Sequence, residues 1–209
     1  MFSQETIRFL NDLRDHNSRD WFQSQKQRYE AHVKTASKTF AAAMERLLSD
    51  RYDVSVTAKL YRINRDLRFS KDKTPYNTHV HMSFLDAGAA AAWMIGLETD
   101  QLVIGFGAFA FDPKRLARWR ERVSGPAGEQ LLGSLQELQI RLEPPELKRS
   151  PAPYAADHPA TDLLRRKGFA VWLRDMPVET AFGEDAPARL LEKFEALGPI
   201  RRWFVNELN

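Results

Sequence analysis

Residues 62–84 read RINRDLRFSKDKTPYNTHVHMSF, and five cations, Arg62, Arg65, Arg68, Lys71 and Lys73, fall within its first twelve positions. Arginine forks match the planar geometry of phosphate and carboxylate, and lysine adds a compact point charge. Ser70, Thr74, Tyr76 and Thr78 supply neutral hydrogen-bonding groups beside them, and Pro75 fixes its own φ in a turn. If the chain folds back there, Arg65, Arg68, Lys71, Lys73 and His79 converge on one small volume suited to a phosphate-bearing or polycarboxylate ligand. In that arrangement Asp66 orients an arginine or accepts a proton, and Tyr76 and His79 complete the pocket. Asp66 and Asp72 also allow a plainer arrangement, in which they neutralise the arginines and pin the turn.

His79 and His81 stand two apart, so on a strand they share one side about 6.5 Å apart. Neighbouring cations favour neutral imidazoles and oppose a divalent metal, although Asp66 could serve as a third ligand. His79 and Asp66 are the candidates for acid–base chemistry. Neither a metal nor a cofactor is expected. GFGAFA, residues 105–110, fits G-x-G-x-x-A on paper, but the helix signal Asp112-Pro113 comes too late and no βαβ unit surrounds it. Gly105 and Gly107 instead share one strand face, where something packs close to the backbone. P-loop, G-x-S-x-G and H-E-x-x-H patterns are absent from the sequence. Lys148, Arg149 and Arg165 to Lys167 read as solvated surface or as extra charge for the same cleft. Trp21, Phe22, Trp119, Trp172, Trp203 and Phe204 read as core.

The elements that must position these groups follow from periodicity. Ile7, Leu10 and Leu13 mark a first helix, with Ser3 as its cap. Asn17 or Ser18 opens a second, long or kinked helical stretch across residues 20–50, which contains no Gly or Pro. The period then becomes two. Tyr61, Ile63, Leu67 and Phe69 alternate with Arg62, Asn64, Asp66 and Arg68, predicting a strand in which Arg65 breaks the pattern. Val80, Met82 and Phe84 predict the next strand, and residues 92–109 a hairpin turning near Thr99 and Asp100. Asp112-Pro113 caps a helix, Leu131 to Leu138 mark another, and the prolines of residues 140–154 prevent a regular element. FAVWL predicts a further strand, and residues 185–208 predict helices broken at Gly198-Pro199. The expected architecture is α+β: an antiparallel meander with helices packed on it and a long N-terminal helical segment. One domain is expected over residues 1–209, helical to 52, sheet-rich over 56–111 and mixed over 112–209.

Composition bounds the remaining readings. The 209 residues carry a formal net charge of +3 and no cysteine, so disulfide and thiolate chemistry are excluded. The opening residues lack a secretory pattern, and no apolar run nears the ~20 residues that span a bilayer. A soluble cytoplasmic chain without membrane association is expected. Most basic residues have acidic neighbours, which weakens a nucleic-acid reading, since such binders concentrate positive charge on a stripe.

The run RINRDLRFSKDKTPYNTH closely resembles the signature of an uncharacterised bacterial and fungal family, domain of unknown function 2461. FLNDLRDHNSRDWFQSQKQRYE and LKRSPAPYAADHPATDLLRRKGF resemble it too, so the likeness covers nearly the whole chain. The family implies a single α/β-type domain with no assigned activity, cofactor or partner. It directs attention to Arg62, Asn64, Arg65, Asp66, Arg68, Phe69, Ser70, Lys71, Asp72, Lys73, Thr74, Pro75, Tyr76 and His79. Asn77 stands where relatives usually carry Lys, and PAPY stands where they usually read PKGY. Two cationic positions are thus missing. The leading expectation is a phosphorylated small molecule held by Arg62, Arg65, Asp66, Arg68, Lys71, Lys73, Tyr76 and His79. A nucleic-acid accessory protein gripping backbone phosphates, and a structural or partner-binding module with internally paired charges, are the alternatives.

Overall fold

A computed structural model describes residues 1–68 and 70–209. The chain begins with α1 (Gln4–Asp15) and α2 (Arg19–Ser24), where the Ser18 hydroxyl accepts from the Trp21 amide at 3.3 Å. A single turn, α3 (Lys26–Arg28), runs into a π-helical stretch (Tyr29–Thr35) and then α4 (Ala36–Tyr52). The stretch expected as one long or kinked helix is therefore broken at Gln25 and rewound at Tyr29. No proline is needed, because a π-bulge kinks a helix by itself.

Five strands follow: β1 (Val56–Leu60), β2 (Val80–Asp86), β3 (Ala91–Leu97), β4 (Leu102–Ala108) and β5 (Phe169–Met176). They pair antiparallel in the order β1-β2-β3-β4-β5. Between β4 and β5 lie α5 (Pro113–Val123), α6 (Pro126–Glu137), an irregular run through residues 140–160, and the short α7 (Thr161–Leu164). The Asp112 carboxylate caps α5 by accepting from the Arg115 amide at 3.0 Å, as the Asp-Pro pair implied. A 3₁₀ turn (Val178–Ala181), α8 (Ala186–Glu195) and α9 (Gly198–Leu208) close the chain. The fold is α+β, with helices packed around an antiparallel sheet behind a long helical N-terminal region.

Register decides which side chains meet the helices. Phe84, Trp93 and Phe106 lie across from one another on β2, β3 and β4, all fully buried. Trp93 packs on Tyr52 and Phe194 at ring separations of 5.3 and 5.0 Å, and Phe106 on Phe204 at 5.5 Å. One cluster of buried side chains runs from Phe2 to Leu208 through this inner face. Ser83, Met94, Gly105 and Trp172 line up in the same way on the outer face. Met94 and Val103 are each only 4% exposed, yet neither belongs to the helix-packed core cluster.

The strand expected across Tyr61 to Phe69 is not formed. β1 stops at Leu60, and beyond it the two limbs are joined by a few backbone hydrogen bonds and an isolated bridge between Asn64 and Tyr76 rather than by a continuous ladder. Aspartate side chains supply the reason. Asp66 accepts from the Arg68 amide at 3.2 Å and Asp72 from the Thr74 amide at 2.9 Å. Such local turns take the backbone donors a ladder would need. Phe69, the last residue of the alternating series, lies outside the described residues.

Candidate functional site

Residues 61–79 form an excursion between β1 and β2, folded back on itself. The Tyr61 amide donates to the His81 carbonyl at 3.0 Å, the Asn77 amide to Ile63 at 2.7 Å, and the Arg65 amide to Pro75 at 2.9 Å. Tyr61 thus pairs with His81 and Asn64 with Tyr76, so the return limb carries two more residues than its partner between these pairings. That bulge displaces His79 from the regular strand geometry. The His79 and His81 rings consequently stack with centroids 3.8 Å apart and planes at 22°, closer than the strand spacing expected from sequence.

The excursion is anchored from the N-terminal helices. The Asn17 amide nitrogen donates to the Tyr76 carbonyl at 2.9 Å, and its carbonyl accepts from the Tyr76 amide at 3.1 Å. Phe22 stacks on the buried Tyr76 ring at 4.1 Å. Asn17 therefore serves as a strand partner for a residue in a loop. Tyr76 supports the loop from below and does not line the cleft beside it.

The tip cations do not converge on an open volume. Arg65 is enclosed by acceptors: the Asp72 carboxylate at 2.5 Å, the Thr74 hydroxyl and carbonyl, and the Ser70 hydroxyl at 3.3 Å. Asp72, held by the Thr74 amide and by Arg65, has its pKa lowered to about 2. Arg68 forks onto Asp66 at 2.6 and 3.0 Å, which lowers the Asp66 pKa and raises that of Arg68. Lys73 donates to the Leu67 carbonyl at 3.0 Å. Lys71 is exposed on the tip and lines none of the cavities around the excursion. Expected to clamp a ligand, Arg65, Arg68 and Lys73 instead donate to the tip's own aspartates, hydroxyls and carbonyls. Asp66, paired in this way, is placed to orient Arg68.

Two expected residues do reach a cavity. Arg62 and His79 line a cleft of about 600 Å³ at the base of the excursion, with Lys59, Asn64, Asn77 and His81. No carboxylate among the described residues lines it, and Arg62 has none within ion-pair reach among them. Lys59 sits over the Tyr61 ring at 4.9 Å, leaving its charge at the mouth. Burial lowers the His79 pKa, with Glu98 opposing the shift. Burial and then the adjacent His79 push His81 down to about 4, although the residue keeps an exposed surface. Both imidazoles are therefore neutral at pH 7. Across the cleft wall His79 also borders a cavity of about 70 Å³ beside Tyr29 and Val33 of the π-helical stretch. Among the described residues no three His, Asp or Glu side chains gather as a metal site.

Tyr61 and His81 also line a second cavity, of about 430 Å³, on the outer face of the sheet. Its floor includes Met94, Gly96 and Val103, and its far wall Phe109 and Trp172. Sequence alone did not signal this groove, since Trp172 and Met94 look like ordinary core positions. Of the two glycines expected to admit a close neighbour, Gly105 lies under the groove's Trp172 wall, whereas Gly107 meets the backbone of β5. A Cβ at Gly105 would stand 2.5 Å from the Trp172 ring, and one at Gly96 would stand 3.2 Å from the His81 ring. Both rings thus lie flat on the sheet because those positions lack a side chain. Arg165 and Arg166, expected on the surface or in the basic cleft, instead donate to the Leu147 and Glu143 carbonyls at 2.6 Å each, tying down the irregular run.

An α+β scaffold with one helix-packed sheet face and a motif-bearing excursion defines the class of this molecule. The family model described as Conserved hypothetical protein (DUF2461) matches residues 5–203, and the chain belongs to that family. Neither the curated proteins nor the solved structures give a significant match. No helix among the described residues is long and apolar enough to cross a membrane.

Proposed function

We propose that the protein binds an anionic, phosphorylated small molecule in the cleft lined by Lys59, Arg62, Asn64, Asn77, His79 and His81. The observation that carries this reading is the lining itself, which joins two cations, two carboxamides and two imidazoles without an acid. Two cations near an oxyanion give charge-assisted hydrogen bonds, each worth about 1.5–3 kcal/mol. The carboxamides and imidazoles add neutral contacts. At the tip Arg65, tied to Asp72, Thr74 and Ser70, closes the loop above the cleft, whereas the Arg68–Asp66 pair is exposed to solvent. At the tip, the structural reading of the charges is the one supported. His79 is the sequence-expected group in the cleft suited to move a proton. Nucleic-acid binding would call for a stripe of unpaired cations, and the pairing of Arg65 and Arg68 favours a compact ligand instead.

Calorimetric titration with inorganic phosphate and a sugar phosphate at low salt tests this. Arg62→Ala is expected to weaken binding about tenfold, equivalent to about 1.4 kcal/mol. Arg68→Ala, which alters the tip alone, is expected to leave affinity within about twofold. Equal losses in both variants, or no binding by the unaltered protein, would remove the cleft from consideration.

A further inference from the structure

The cleft does not end at its imidazoles. Tyr61 and His81 form walls of both the cationic cleft and the outer-face groove, so the two spaces adjoin at that pair. The groove crosses the sheet from His81 on β2, over Gly96 and Val103, to Trp172 on β5. Three strand spacings make that span roughly 14 Å. Its volume, about 430 Å³, falls within the range of small-molecule sites, about 300–1,000 Å³. Its surface is apolar where a ligand body would rest, with Met94 and Val103 on the floor and Phe109, 65% exposed, at the rim. Polar groups are few. The Ser83 hydroxyl lies 3.4 Å from that of Tyr61, Glu98 receives the Gln101 amide at 3.1 Å, and Arg174 is held by Glu143 at 3.2 Å.

We infer that the ligand is amphipathic, an anionic head on a flat aromatic body, with the head in the cleft and the body in the groove. This rests on the anion reading given above and extends it to a substrate class: aryl phosphates and aromatic acids. Charge complementarity sets the orientation. The cleft end offers Lys59 and Arg62, whereas the groove is lined by Glu98 and by an Arg174 already paired with Glu143. An acid group lodged in the groove would meet a carboxylate, and one lodged in the cleft meets cations. Flatness is selected by the floor, since two rings already lie on the sheet at Gly96 and Gly105 and a ligand ring can slot between them.

The experiment compares three probes by calorimetry: inorganic phosphate, 1-naphthyl phosphate and the uncharged 1-naphthol. Naphthyl phosphate is expected to bind at least tenfold more tightly than inorganic phosphate, and naphthol at least tenfold more weakly than naphthyl phosphate. Val103→Phe, which fills the groove floor, is expected to remove the naphthyl advantage and leave phosphate affinity within twofold. Phe109→Ala, at an exposed rim position, is expected to cut the advantage threefold or more. Equal affinity for phosphate and naphthyl phosphate would overturn the amphipathic ligand while leaving the anion cleft in place. An advantage untouched by both variants would overturn the groove assignment. Naphthol binding as tightly as its phosphate, or no probe binding at all, would overturn both readings.

Discussion

Arg65 ends against Asp72, Thr74 and Ser70, whereas Arg62, three residues earlier in the same motif, lines an open cleft. Residue type and spacing predicted cations suited to an oxyanion; they did not distinguish the cation that frames the site from the one that faces it. That distinction depends on side-chain hydrogen bonds within a turn, which the alternation pattern does not encode. His81 yields a prediction at this scale. Its folded pKa, about 4, lies below the ordinary 6.5, so as pH falls through that window the unfolded chain takes up a proton before the native one. Stability present above pH 6.5 is therefore lost progressively towards pH 4. His79 stacks on the ring, Tyr61 and Lys59 share its cleft, and Glu98, on the β3–β4 turn, lines the same groove and acts on His79. His81→Asn is expected to flatten the fall in melting temperature between pH 7.5 and 4.5. An unchanged fall would mean that the imidazole is not held neutral by its surroundings.

The predicted elements were largely those that formed, because their signals are local. The β3–β4 hairpin, the Asp112-Pro113 helix start and the break before α9 each rest on residues close together in sequence. Two elements escaped for physical reasons. The π-helical stretch has no composition of its own, and the excursion after Leu60 mimics a strand in its alternation while Asp66 and Asp72 close turns inside it. What holds that excursion is a partner from 59 positions away: Asn17, which closes two hydrogen bonds with the Tyr76 backbone. Asn17→Ala leaves a partly buried donor and acceptor unpaired and is expected to cost about 2 kcal/mol, within the usual range for such losses. Amide exchange at Asn77 and Arg65 should accelerate more than exchange in β3. Uniform acceleration, or none, would show that the excursion is held by something else.

At the scale of the molecule, the sheet separates two tasks. Its inner face carries the aromatic core on Phe84, Trp93 and Phe106, and its outer face carries a groove with Gly96 on its floor and a Trp172 wall that rests on Gly105. The α+β class was legible from close-spaced strands, and the inner face from its parity. The groove was not, because burial by a neighbouring wall and burial by a helix leave the same apolar residue at Met94 and Val103. The proposed site is the cleft where β1, β2 and the anchored excursion meet, at Lys59, Arg62, His79 and His81. An anion settling there must raise the proton affinity of both imidazoles, since negative charge favours their charged forms. Nuclear magnetic resonance titration of the histidine rings, with and without saturating inorganic phosphate, reads this directly. The account expects the pKa values of His79 and His81 to rise with phosphate. Superimposable titration curves for His79 and His81 under the two conditions would contradict it.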